Sequence, residues 1–448
     1  MEPTPSNFSG FALISVALLL LATPLAIFWR PQLPFFYILD DWTALIQMAQ
    51  QPFWQYLIQP DGEQWFPFFH LIFYGLVKIA GEHYCLLLLI NNLGTGINAF
   101  LLYLFLRRHF GAGLALVLSL FYAGAAVNHA VAWNAFYLCY VLSLGFFLGA
   151  LLLTAGYLRA PTLLKLLGIG ICALLSILSH NYTLLGLWAL PLYAVLLGGP
   201  EGRRRALPLA VTVGVVYLAF ALGYSCFAGL PAAASHNLTM FSGLPGPKYL
   251  LHLFFAAFLS PFFYLFWGHY HFPLWAYFAG IALLTVSLAV IWTAGGAPER
   301  RLSLWALLLN ALPFLLISLT RYQRSVNQAF VARYGIFTLI GALILAGTAW
   351  RLQAARLPQK LWFKLMTLGL LTVMVSGQIF SLPLWQQKYL DMSRAASTCY
   401  LKLNFEGEFT GPAAEKLFQQ FCPTAHPSLT RSQAVAIRQF LSRTSKDP

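Results

Sequence analysis

The chain is short of charge. Asp, Glu, Lys and Arg make up 9% of its 448 residues, whereas soluble domains carry about a quarter. Its six cysteines contain no C-x-x-C pair, so no zinc or redox motif is written here. Met1 to Gly10 holds no Lys or Arg, and the apolar run that follows continues to Trp29. A cleaved secretion signal needs a basic start and a shorter apolar stretch, so a first anchor is the expected reading. Ten-residue alternating strands are missing too. Segments such as Phe11 to Trp29 are apolar on every side, which excludes a strand barrel. The net charge of +14 is scattered between apolar runs rather than gathered on one basic, aromatic-rich face, so no nucleic-acid partner is expected.

What the chain has in excess is apolar length, with 59% hydrophobic residues. Runs of spanning length fall near 10–29, 84–106, 113–128, 137–158, 163–179, 182–198, 207–227, 273–294, 302–320, 333–350 and 361–382, about eleven in all. An all-α polytopic membrane protein follows, with membrane lipids as its first partner. Two further stretches, 66–80 and 250–268, are short or broken by Pro261 and read as interfacial helices. Bases gather at Arg107, Arg108, Arg159, Lys165, Arg203, Arg204, Arg205, Arg300, Arg301, Arg351, Arg356, Lys360 and Lys364, against only Glu201 and Glu299 among the acids. By the positive-inside rule these connections are cytoplasmic. The N-terminus is then expected inside and the tail outside.

Residues 1–382 form the expected transmembrane domain, with 30–83 as a long first external loop, and 383–448 a small external C-terminal region. Within the loop, Thr43, Gln47, Gln50 and Gln51 share one helix face, with Leu45, Ile46 and Met48 opposite. His70, Tyr74 and Lys78 make a second polar line, and Trp42, Trp54 and Trp65 suit headgroup depth. Cys399 and Cys422 are the two cysteines of the tail, and an external compartment would let them pair, stabilising it by about 3 kcal/mol. Cys85, Cys139, Cys172 and Cys226 fall in apolar runs and read as core.

No acid lies within an expected span. Asp40, Asp41, Asp61, Glu63 and Glu82 share the first external loop, which makes them the leading carboxylates for chemistry at the outer face. Asp40 and Asp41 are adjacent, follow the apolar run Leu33 to Leu39, and sit where a helix begins. One helix cap needs one residue, and a partly desolvated carboxylate there is a stronger proton acceptor.

The long loop opening on Asp40-Asp41, the Gln64-Trp65-Phe66-Pro67 approach to an interfacial helix, His129-Ala130-Val131-Ala132-Trp133, Leu178-Ser179-His180-Asn181 and Ala332-Arg333-Tyr334 together resemble the GT-C superfamily of polytopic glycosyltransferases. Protein O-mannosyltransferases and lipopolysaccharide sugar transferases are similar members. The resemblance covers about residues 10–382 and rests on short motifs. Two positions depart from it. His180-Asn181 stands where many relatives have Lys-Glu, and His129 where an acid often precedes Ala-Val-Ala-Trp.

The resemblance implies transfer of a sugar from a polyprenyl-phosphate donor to a glycan, lipid or protein acceptor, with inversion, at the outer face of a membrane. A bacterial inner membrane is the expected location. Asp40 or Asp41 would be the base, and Arg333, Arg324, Arg321 and Lys248 the cations for the donor phosphate, Arg333 first. Glu63, Trp65, His70, His129, Trp133, His180 and Tyr334 are the expected substrate-binding residues. A divalent metal ion held by Asp40 and Asp41 is the other way to neutralise that phosphate. A lipid-linked-sugar flippase is an alternative, but no Asp, Glu, Lys or Arg falls at the centre of an expected span. An inactive relative is another, motivated by the missing Lys-Glu pair.

Overall fold

The computed structural model describes residues 10–38, 40–60, 64–227, 246–260, 262, 274–321, 332–354, 368–369, 372, 382–402, 422 and 430–444. Regular structure among them is helical. The first helices are α1 (Gly10–Phe28), α2 (Asp40–Gln50), α3 (Phe53–Ile58), α4 (Pro67–Ala80), α5 (Tyr84–Phe110) and α6 (Ala112–Gly124). Next come α7 (His129–Trp133), α8 (Leu138–Arg159), α9 (Leu163–Ser179), α10 (Ala189–Leu197) and α11 (Gly199–Phe227). The last are α12 (Pro247–Phe254), α13 (Leu274–Ala294), α14 (Ala297–Arg321), α15 (Ala332–Ala354), α16 (Leu382–Lys402) and α17 (Arg431–Thr444).

Among the described residues five helices are long and apolar enough to cross a membrane, Gly10–Phe28, Tyr84–Phe110, Ala135–Arg159, Gly199–Phe227 and Arg333–Ala354. The pair Ala112–Gly124 and Ala126–Trp133, bent by 42°, makes a sixth if it counts as one span. The other expected spans at 163–179, 182–198, 273–294 and 302–320 are also helical, whereas all but a few residues of 361–382 lie outside the described ones. Helix α4 has 14 residues, a reach of roughly 21 Å against a hydrocarbon core of about 30 Å. That is too short to cross.

The helices share a basic end, and chemistry at that end explains why. The last carbonyls of a helix have no intrahelical donor. Lys165 donates to Gly156 O and Ala160 O (3.2 and 2.7 Å), and Arg205 to Leu158 O, closing the end of α8. Arg351 donates to His109 O at the end of α5 (2.8 Å) and pairs with Glu299 (2.6 Å). At Gly111 φ is +78°, the conformation in which the chain reverses from α5 into α6 at little steric cost. Close helix contacts need small residues. A Cβ on Gly96 would stand 2.7 Å from Leu21 Cα of α1, and one on Gly341 would stand 2.4 to 2.6 Å from the Asn310 amide of α14.

The opposite end carries the first loop and the tail. Helix α17 lays Ala434, Ile437 and Leu441 inward and packs on α2. Phe440 reaches Tyr74, and the Lys78 ammonium sits 4.3 Å from the Phe440 ring. The polar line of His70, Tyr74 and Lys78 is therefore covered by the tail and by Tyr56, which stacks on His70 at 4.6 Å. Of the three loop tryptophans only Trp54 is exposed, at 70%. Trp42 and Trp65 are buried because their indole N–H groups donate to Tyr37 O and Ile58 O. Helix α16 stacks Trp385 on His129 at 4.3 Å, and Tyr400 donates to Glu82. Cys399 and Cys422 are joined by a disulfide. Among the other cysteines Cys139 is buried, Cys85 and Cys172 are half-buried, and Cys226 is exposed.

Candidate functional site

Adjacent residues on a helix point about 100° apart, and that rotation separates the two aspartates. Both lie in the first turn of α2. Asp41 turns inward and is 0% exposed. Its Oδ2 accepts from Ile38 N and the Tyr84 hydroxyl (2.9 and 2.7 Å), and its Oδ1 accepts from Phe136 N (2.7 Å). Asp40 turns outward with 47% of its side chain exposed, and its Oδ2 lies 3.9 Å from Arg333 Nη1.

Arg333 opens α15. Its Nη1 donates to the Tyr137 hydroxyl at 2.7 Å, and its Cζ lies 5.5 Å from the ring centroids of both Tyr137 and Tyr334. Its Nε–H is buried and meets no acceptor among the described residues. A guanidinium held by one arm, flanked by two aromatic faces and left with a spare buried donor is suited to an anion.

Aromatic side chains continue the wall. Tyr140 lies 5.5 Å from Tyr137 and 4.2 Å from His180. His180 stacks on Phe66 at 5.8 Å, and its Nδ1 accepts from Tyr182 N (3.0 Å). Tyr182 stacks on Tyr334 at 5.5 Å. In the amide orientation that satisfies both of its polar atoms, Asn181 donates to Trp65 O at 2.8 Å and accepts from Trp65 N at 3.2 Å. The chain thus uses His180-Asn181 to bind its own 64–66 segment and its own tyrosines.

The fold brings together Asp40, Arg333, Tyr334, His180 and, one residue along, Trp65. Other expected residues sit elsewhere. His129 is bonded through Nδ1 to Ala126 O at 2.8 Å, and Trp133 donates to Phe28 O at 2.9 Å, so both brace the 126–133 turn against α1 and α16. His70 is buried against Tyr56 and Phe66, and burial pushes its imidazole down to about 4, which keeps it neutral. Lys248 is exposed at the start of α12 and takes no part in the contacts that join Asp40 to Arg333. Arg321 ends α14 with its side chain outside the described residues, and Glu63 and Arg324 lie outside them altogether.

A divalent ion does not fit the aspartate pair. Three donors already occupy the Asp41 oxygens, and the near neighbour of Asp40 is a cation. No group of three His, Cys, Asp or Glu side chains among the described residues is placed to hold a metal.

Burial raises the Asp41 carboxyl from its ordinary value to about 7, against the lowering effect of its three hydrogen bonds and with a small push from Asp40. A carboxyl raised on folding contributes stability that is complete below about pH 4 and lost as pH rises through about 7. The thermal midpoint of the purified protein should therefore fall between pH 5 and pH 8, and Asp41→Asn should flatten that fall. An equally steep fall in the variant would refute this assignment.

Tyr84, Tyr137 and Tyr140 surround the candidate site and do not stand out in the sequence. Tyr137 and Tyr140 are spaced i, i+3 where a span begins, the one available signal, but aromatic residues are common at such depths. Asn91, Asn92, Thr95 and Asn98 form a buried polar line along α5. Asn91 donates to Val131 O and Asn134 O (2.7 and 2.8 Å), fastening the 129–134 turn to α5.

No protein-family model matches the chain, and no significant match to a curated protein is found. Among solved structures it is similar to a crystal structure of ArnT from Cupriavidus metallidurans in the apo state. That match has 15% identity and a TM-score of 0.44, and it covers 97% of this chain and 76% of the other.

Proposed function

We propose that this chain is a membrane glycosyltransferase that passes a sugar from a polyprenyl-phosphate donor to an acceptor at the membrane face bearing Asp40. One observation carries the reading: an exposed carboxylate faces a tyrosine-held guanidinium at 3.9 Å, at the end of the bundle opposite its basic connections. The positive-inside rule puts those basic connections in the cytoplasm. Asp40, the N-terminal approach to α2 and the C-terminal region then face outward, as in a bacterial inner-membrane enzyme.

The chemistry follows from the two groups. The acceptor hydroxyl or amine attacks the anomeric carbon from the side opposite the phosphate, and its proton passes to the Asp40 carboxylate. The bond from the anomeric carbon to the phosphate oxygen breaks, and its electron pair leaves on a phosphate monoester. That leaving group is already a weak base and needs charge stabilisation rather than a proton. Arg333 supplies it through the donors that Tyr137 leaves available. Asp41, closed to solvent, holds the backbone around the site. Tyr137, Tyr140 and Tyr334 are buried against one another and hold the guanidinium in place.

A single displacement inverts configuration. Purified protein in bilayers, offered a panel of lipid-phosphate-linked sugars with acceptors, should release the lipid phosphate and form a product of opposite anomeric configuration by NMR. A retained configuration, or no donor consumed across the panel, would count against the reading.

A further inference from the structure

The start of α8 poses a problem of unpaired donors. The first N–H groups of a helix have no intrahelical acceptor, and the turn Ala135–Tyr137 runs directly into α8. No side chain of the preceding residues caps it. The Tyr84 hydroxyl, from the start of α5, accepts from Ala135 N at 3.0 Å, and Asp41 Oδ1 accepts from Phe136 N at 2.7 Å. Tyr84 then donates to Asp41 Oδ2 at 2.7 Å, so the two capping groups are bonded to each other. The cap of α8 is thus supplied in trans, by two residues remote in sequence, and a carboxylate suits it because a helix N-terminus is electropositive.

The next residue of the capped turn is Tyr137, whose hydroxyl receives the Arg333 guanidinium at 2.7 Å. Tyr84 and Asp41 therefore hold Ala135 and Phe136 by hydrogen bonds, the main chain carries that hold one residue on to Tyr137, and the Tyr137 hydroxyl takes Arg333, opposite Asp40. We propose that Tyr84 is a positioning residue of the site, setting the place of Arg333 through the 135–137 turn. Its effect on transfer rests on the reading of Arg333 as the group that binds the donor phosphate. Its hold on the turn does not.

Tyr84→Phe removes the hydroxyl and keeps the ring, which packs against Tyr37 at 4.8 Å. Two measurements follow. Hydrogen exchange across 134–138 should quicken by about tenfold, the scale of a lost cap, while exchange across 176–183 stays as in the native protein. The KM for the lipid-linked donor should rise by about tenfold with the KM for the acceptor little changed. In a Tyr137→Phe background the same substitution should add almost nothing to the donor KM, because both changes break one path.

Unchanged exchange at 134–138, or effects on the donor KM that multiply independently in the double variant, would overturn the proposal. Faster exchange in a protein that consumes no donor would leave Tyr84's hold on the turn standing and overturn the proposed function.

Discussion

Asp40→Asn is expected to lower sugar transfer by about 10²- to 10⁴-fold, the range for loss of a general base, with expression and membrane insertion unchanged. The substitution keeps size and removes basicity. Asp40 is about half exposed and makes no side-chain hydrogen bond among the described residues, so little stability is at stake. The neighbouring Asp41→Asn serves as contrast, since Asp41 is sealed among Ile38, Tyr84 and Phe136 and meets no solvent. Its loss should be read in stability and its pH dependence. If the two variants lost activity alike while both kept native stability, the division of roles between them would be wrong. Wild-type rates in Asp40→Asn would remove Asp40 from the chemistry.

Arg333→Lys should cost about 10²-fold in kcat/KM for the donor, and Arg333→Gln about 10³-fold, the scale for loss of one preorganised donor to a developing negative charge. Lysine keeps the charge but not the fork. It cannot hold Tyr137 and a phosphate at once in the geometry that the guanidinium allows, nor lie flat between Tyr137 and Tyr334. Measured with donor and acceptor varied separately, the loss should fall on the donor. Native kcat/KM in Arg333→Lys would mean that Arg333 is an interfacial anchor.

Most of the bundle was legible because the signal for a buried apolar helix is long and redundant. Breaks within those helices leave no such signal. The run 113–128 was expected as one span, but Asn128 donates to Tyr122 O and Ala123 O (2.7 and 3.4 Å), ending α6 and starting a second, bent piece. The run 182–198 opens as two tight turns, and Gly186 lies against Pro313 of α14, where a Cβ would stand 3.1 Å away. Such breaks depend on tertiary partners, which hydropathy does not record. The tail over α2 and α4 was hidden for the same reason. A stripe of Ala434, Ile437 and Leu441 marks an amphipathic helix but not the surface it covers.

The site was half legible. Scarcity of charge made Asp40, Asp41 and Arg333 conspicuous, and the fold sets Arg333 against one of the two aspartates. Which aspartate faces outward depends on where the first turn of α2 falls, a matter of one residue. A polar residue in an apolar segment reads as functional from sequence, which does not record its backbone partners. His129 and His180 are both bonded to main-chain atoms. The tyrosines that hold Arg333 and cap α8 do not stand out among the chain's 21.

If the protein adds a sugar to an acceptor at the outer face of the membrane, mass spectrometry should show it in cell-surface glycans compared among cells with the native gene, with a deletion, and with Asp40→Asn. One sugar-bearing species should vanish in the deletion and stay absent in Asp40→Asn at native protein levels. Identical glycans in all three would contradict the claim.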